Sequence, residues 1–169
     1  QDTNSRLCMS SAVVGYKMSV GEDSVPIAYA DIELADTFFV AGANPAWCHP
    51  IIWRRVEEHK EKNPNVKIIC VDPRRTNTAM SADIHLQLIP GSDIYLYKAI
   101  GKVLIDTGMI DHEFIKNHVD GYDAYKTSVL EETLEHYSDA CGISIEQITE
   151  VATYIGESKG FMTMWTMGL

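Results

Sequence analysis

The sequence predicts an α/β fold built on a parallel sheet, and three observations predict it. Thr37-Phe38-Phe39-Val40-Ala41, ended by Gly42, is a continuous apolar run that suits a strand buried on both faces, and Val66 to Val71, ended by Asp72-Pro73, reads as a second buried strand. Between them lies an amphipathic helix that Pro50 opens and Asn63-Pro64 closes, with Ile51, Ile52 and Val56 on one side and charges from Arg54 to Lys62 on the rest. Ile84-His85-Leu86-Gln87-Leu88 then alternates at period two, as an edge strand does, and a helix follows from Asp93 or Ile94 to Thr107. Strand, helix, strand, turn, strand, helix is the order of a Rossmann-like nucleotide-binding lobe with helices on both faces of its sheet, here followed by a helical segment.

The remaining elements follow in chain order. The run after Cys8 reads as a short helix broken by Gly21 and Pro26, and Tyr29 to Ala35 as a short amphipathic helix. Ser92 or Asp93 is placed to cap the helix after Gly91. Helical segments are expected over 111–118, 121–139 and 144–157, the last opened by Ser144 with Gln147 three residues on. Phe161 to Trp165 is a final strand that returns the chain to the sheet.

Composition narrows the function. The 169 residues, 46% hydrophobic and 22% charged, suit one α/β domain over 1–169 and argue against disorder. With 14 basic against 24 acidic residues the net charge is −10, which speaks against a general nucleic-acid binder. No apolar run has membrane-spanning length. Cys8, Cys48, Cys70 and Cys141 form no CxxC motif and no dense disulfide framework, so a self-contained zinc or iron–sulfur site is not expected. The chain opens on Gln1 and stops at Leu169 just after an apolar run, which reads as a piece of a larger protein.

Ligands of open α/β sheets bind beyond the carboxyl ends of the strands, and three polar turns fall there. The first is Gly42-Ala43-Asn44-Pro45-Ala46-Trp47-Cys48-His49, preceded by Ala41. The second is Asp72-Pro73-Arg74-Arg75-Thr76, and the third is Pro90-Gly91-Ser92-Asp93. Asn44 and Asp72 can hydrogen-bond base or ribose edges, Arg74 and Arg75 can pair with phosphate, and Gly91-Ser92 at a helix start offers N–H groups to an anion. The plain alternative is that these are ordinary turns with solvated arginines. No GxGxxG is present, so the usual NAD or FAD fingerprint is missing.

Cys8 precedes a helix, with Arg6 two residues away, a setting that favours a thiolate able to act as nucleophile or metal ligand; otherwise it is a small buried hydrophobe. Cys70 and Cys141 read as structural, and Cys48 beside His49 stays ambiguous. Trp47, Trp53 and Trp165 read as packing anchors, and the scattered histidines, His85 among them, as surface or capping groups.

Five motifs in order then carry a resemblance: Asn4-Ser5-Arg6-Leu7-Cys8-Met9-Ser10-Ser11-Ala12-Val13, Gly42-Ala43-Asn44-Pro45-Ala46 with His49-Pro50, Val71-Asp72-Pro73-Arg74-Arg75-Thr76, Ala82-Asp83-Ile84-His85, and Pro90-Gly91-Ser92-Asp93. The chain resembles the molybdopterin oxidoreductases of the dimethyl-sulfoxide-reductase superfamily along its whole length. Within them it is most similar to bacterial nitrate reductases of the assimilatory and periplasmic kind. The resemblance implies molybdenum held by two molybdopterin guanine dinucleotides, with Cys8 as the protein's metal ligand and Asn4 touching the cofactor. It implies that Ala41 to Cys48, Asp72 to Thr76 and Gly91 to Asp93 bind the dinucleotide.

It also implies an iron–sulfur domain with a 4Fe–4S cluster, further cofactor-embracing domains and a C-terminal domain outside this chain, together with an electron-donor protein or domain. The chain is thus expected to be an internal fragment, inactive alone, of an enzyme that reduces nitrate to nitrite by oxygen-atom transfer, in the cytoplasm or alternatively the periplasm. Formate dehydrogenase is the runner-up, disfavoured because Met9 rather than His follows Cys8. A catalytically silent electron-transfer relative is disfavoured by Cys8 itself, and a nucleotide module without molybdenum is the third alternative.

Overall fold

The structure, a computed structural model, describes the backbone of residues 4–166 and the side chains of 10–166. Four strands, β1 (Thr37–Ala41), β2 (Lys67–Val71), β3 (Ile84–Leu86) and β4 (Phe161–Trp165), form one sheet in the order β3-β2-β1-β4. Every pairing is parallel, with Phe39 opposite Ile69 on one side and Thr163 on the other, and Cys70 opposite His85. The two apolar runs are thus neighbouring buried strands, and the alternating run is the edge strand.

The pleat sends successive side chains of each strand into two separate cores. Phe39, Ala41, Ile69, Val71 and Leu86 face α5 (Asp93–Asp106), α8 (Leu134–Cys141) and α9 (Ile145–Glu157) through Leu96, Ile100, Tyr137, Ile148 and Val151. Phe38, Val40, Ile68 and Met162 face the other way, onto Trp53 and Val56 of α3 (Pro50–Lys62) and Ile32 of a short 3-10 helix, Tyr29–Glu33. Helices therefore cover both faces, as the alternation of elements predicts.

Several local expectations change. The N-terminal helix, α1 (Asn4–Val20), starts before Cys8 and includes it, so the helix N-terminus does not directly follow that thiol's position. The helix does end before Gly21, whose φ of 85° ordinary residues avoid. The segment at Tyr29 is a 3-10 turn rather than an amphipathic α-helix. The helical block opens with α6 (His112–His118). The long helix over 121–139 is two, α7 (Tyr122–Leu130) and α8. The break falls at Thr133, whose hydroxyl accepts the His136 N–H at 3.1 Å and so starts a new helix. Ser144 caps α9 by accepting the Gln147 N–H, as its spacing suggests. Two single turns, α2 (Pro45–Cys48) and α4 (Asn77–Ser81), were not anticipated.

At the amino ends of the strands, Asp36 joins the start of β1 to the approach to β4. Its carboxylate accepts from the Ser158 hydroxyl, the Lys159 N–H at 2.9 Å and the Thr37 hydroxyl at 3.1 Å. Desolvation pushes its pKa up, but the bonds from Ser158, Lys159, Thr37 and Gly160 together outweigh this and hold it below the usual aspartate range. A lowered folded value stabilises above the unfolded value, and that contribution disappears as pH falls through the folded one. Asp36→Ala is expected to cost about 2 kcal/mol near neutral pH. The gap between denaturant melts of the two proteins should narrow progressively as pH falls below about 4, and a constant gap there would contradict the assignment.

Candidate functional site

Strands β1, β2 and β3 step across the sheet in one direction, and β4 lies on the far side of β1. The strand order therefore reverses between β1 and β4, and the crevice at their carboxyl ends is where open α/β sheets take ligands. Because all four strands are parallel, the turns after β1, β2 and β3 gather at that same edge.

The first turn is tied to both neighbours. Gly42, at φ 56°, donates its N–H to the Val71 carbonyl at 3.0 Å, and its own carbonyl accepts from the Thr166 hydroxyl at 2.8 Å. Ala43 and Pro45 are buried, Asn44 and Ala46 half-buried, and Trp47 and Cys48 exposed. Trp47, 72% exposed, is not the packing anchor expected of it. The single turn α2 lifts it off the core, while Trp53, one turn into α3, takes the buried place. Cys48 donates its thiol to the Asn44 carbonyl at 3.1 Å, and His49 Nδ1 lies 3.1 Å from its sulfur.

The second turn is fixed from β3. His85 Nε2 donates to the Asp72 carbonyl at 2.7 Å, and Gln87 Nε2 to that of Pro73 at 2.8 Å. His85 is thus a brace for the turn, a role its position on the edge strand opposite Cys70 makes possible. Asp72 is 5% exposed, and its Oδ1 accepts the Arg74 N–H at 2.7 Å. Arg74 and Arg75 point outward; the Arg74 guanidinium is 3.9 Å from Asp72 with its side chain 79% exposed. Thr76 caps α4 by accepting the Ala79 N–H at 3.2 Å.

In the third turn Gly91 takes φ 82°. Ser92 does not cap α5 with its side chain; its hydroxyl turns back to donate to the Ile89 carbonyl at 2.6 Å. Its own carbonyl accepts from Tyr95 and Leu96, and among the described residues the Asp93 and Ile94 N–H groups make no backbone bond.

Of the cysteines, Cys70 is core, its thiol pushed up to about 12 by burial and then by the nearby Asp72 charge. Burial likewise raises Cys141. Among the described residues no three His, Cys, Asp or Glu side chains gather as metal ligands, and no helix is long and apolar enough to cross a membrane. The side chains of Asn4 and Cys8 lie outside the described residues. Their helix reaches the switch-point strand further along, where the Tyr16 ring packs 5.6 Å from that of Trp165 in β4.

The chain as a whole matches a known family. Residues 1–167 fit the family model for molybdopterin oxidoreductases, and the chain belongs to that family. It is 46% identical over 168 residues to a nitrate reductase of Synechocystis sp., covering 99% of this chain and 24% of that protein. It is 37% identical to the periplasmic nitrate reductase of Desulfovibrio desulfuricans, covering 99% of this chain and 23% of that one. It is also 40% identical to the alpha subunit of an F420-dependent formate dehydrogenase of Methanococcus maripaludis, over 99% of this chain and 25% of that protein. The chain thus spans about a quarter of the length of these curated relatives. In fold it matches acetylene hydratase from Pelobacter acetylenicus at a TM-score of 0.82 and 22% identity, over 99% of this chain and 22% of that one.

Proposed function

We propose that this chain is part of the catalytic subunit of a molybdenum-dependent nitrate reductase, where it forms one molybdopterin-guanine-dinucleotide-binding lobe and carries the cysteine ligand to molybdenum. The observation that supports the lobe best is the gathering of three polar turns at the switch-point edge of a four-stranded parallel sheet. Their chemistry fits a purine dinucleotide. Asp72 and Asp93 offer acceptors to the N–H edge of a base or to ribose hydroxyls, and Arg74 and Arg75 offer cations to phosphate. The exposed Trp47 ring can pack on a planar group, and among the described residues two N–H groups at the α5 N-terminus make no backbone bond.

When bound, the molybdenum cofactor supplies oxygen-atom transfer from nitrate, with electrons reaching it from a donor through an iron–sulfur cluster in another part of the parent. This chain's part is to hold the dinucleotide arm, through residues 41–48, 72–76 and 91–93, with Asn4 beside the cofactor and Cys8 as ligand. Of the two compartments the assimilatory, cytoplasmic one is preferred, with the periplasm as alternative. A second reading, formate dehydrogenase, is favoured by the 40% identity to the Methanococcus maripaludis subunit. The expected content of the full-length parent is one molybdenum and two guanine nucleotides per polypeptide, the proportion its proposed cofactor carries. Metal analysis and acid release of nucleotide test this, and a parent with nucleotide but no molybdenum would favour a plain nucleotide module.

The two aspartates are expected to differ. Asp93 sits at the first position of α5, so Asp93→Ala should change stability by less than about 1 kcal/mol while lowering dinucleotide retention. Asp72, by contrast, is buried and holds its own turn together. Asp72→Ala should therefore lower both retention and melting temperature. Unchanged cofactor content in both variants would leave these turns with structural work alone.

A further inference from the structure

We propose that Thr78 is a positioning residue that fixes the amide of Asn44 with its NH2 group toward the ligand, so that the first turn recognises a hydrogen-bond acceptor such as a carbonyl or phosphate oxygen. The inference rests on the nucleotide-binding reading above and adds the polarity of one contact.

Thr78 lies in α4 and is fully buried, 34 residues from Asn44 in sequence. Its hydroxyl accepts the Ala46 N–H at 3.1 Å and donates to Asn44 Oδ1 at 2.7 Å. A hydroxyl has one hydrogen and two lone pairs. With one lone pair engaged by Ala46, the single hydrogen needs an acceptor, and the bond it makes is to Asn44 Oδ1. Turning the amide over would set an NH2 against the hydroxyl and leave a buried O–H unpaired, which costs more than an ordinary bond contributes. The carbonyl side of Asn44 is therefore committed to the protein. Among the described residues its Nδ2 makes no hydrogen bond, and the side chain is half-buried rather than enclosed.

The neighbouring turn has the opposite polarity. Asp72 is an acceptor, and its Oδ1 is already held by the Arg74 N–H. One edge thus sets a fixed donor after β1 beside a carboxylate after β2. A ligand group that carries an acceptor and a donor on adjoining atoms satisfies both, and a base edge is such a group.

The test uses the full-length holoenzyme and reads the rate at which guanine nucleotide leaves the protein at constant temperature, with melting temperature measured alongside. Thr78→Val keeps the shape and removes the hydroxyl, and release should be about tenfold faster. Thr78→Ser restores a hydroxyl and should release at close to the wild-type rate. Asn44→Asp provides the second arm, because it leaves an acceptor for Thr78 and replaces the outward donor by a charged acceptor; release should again be about tenfold faster or more. This variant decides the matter where Thr78→Val does not fold. Wild-type release from Asn44→Asp, or equal release from Thr78→Val and Thr78→Ser, overturns the proposed orientation. A wild-type parent that yields no guanine nucleotide overturns the nucleotide reading and this inference with it, so the two failures are told apart.

Discussion

Cys8→Ser in the full-length parent is expected to lower nitrate turnover by more than about a hundredfold while guanine-nucleotide content stays close to wild type. Partners that merely orient a metal ligand are worth about 10–100-fold in affinity or activity when removed, so losing the ligand costs more. Serine keeps the size of the side chain but exchanges a soft, readily ionised thiol for a hydroxyl that stays protonated at neutral pH. Retention of the nucleotide is expected because the turns proposed to hold it follow β1, β2 and β3, whereas Cys8 belongs to α1, whose described tertiary anchor is the Tyr16–Trp165 ring contact. X-ray absorption at molybdenum checks the cause, since one protein-derived sulfur should leave the metal's shell. Full activity in Cys8→Ser would remove Cys8 from the site.

Nitrate is expected to be reduced at least about a hundredfold faster than formate is oxidised, the range that a positioned acid–base group contributes. Formate oxidation gives up a proton along with two electrons, and an imidazole beside the metal ligand can accept that proton near neutral pH. Met9 occupies that position here, and a thioether has no such capacity. Nitrate reduction consumes protons, which water can deliver at an open site. Identity alone does not separate the two activities, for the nitrate and formate relatives lie at 46% and 40%. Assay of the parent with each substrate and a viologen dye is decisive, and turnover of formate but not nitrate would refute the assignment.

What could be read from the residues depended on the range of the interaction behind each feature. The strands were legible because Phe38 to Ala41 and Ile68 to Val71 are buried on both faces and need uninterrupted apolar side chains. The edge strand was legible from alternation, and α9 from its Ser144 cap. The split between α7 and α8 depends on a cap at Thr133, which the run of helix-forming residues around it concealed. The three ligand-edge turns could be placed because each directly follows a strand. Their internal wiring could not. Thr78 reaches Asn44 across 34 residues, and His85 reaches the Asp72 carbonyl across 13, with no local pattern to announce either bond. The exposure of Trp47 was hidden for a related reason: nothing in Pro45-Ala46-Trp47-Cys48 says that a single helical turn will carry the ring away from the core.

The pairing of β1 with β4 also bears on how the chain acquires its fold. β1 is an interior strand, yet one of its two neighbours pairs Thr37 with Phe161, which follows only after the whole helical block. On a ribosome, β2 and β3 can dock as they emerge, but the other margin of Thr37-Phe38-Phe39-Val40-Ala41 stays unpaired until the helical block and the last strand have been made. That margin is short, uncharged and flanked by aromatic side chains, the composition that invites pairing with another chain. Its protection comes late, and a nascent chain halted before Phe161 would leave this strand open to misassembly and to chaperone capture.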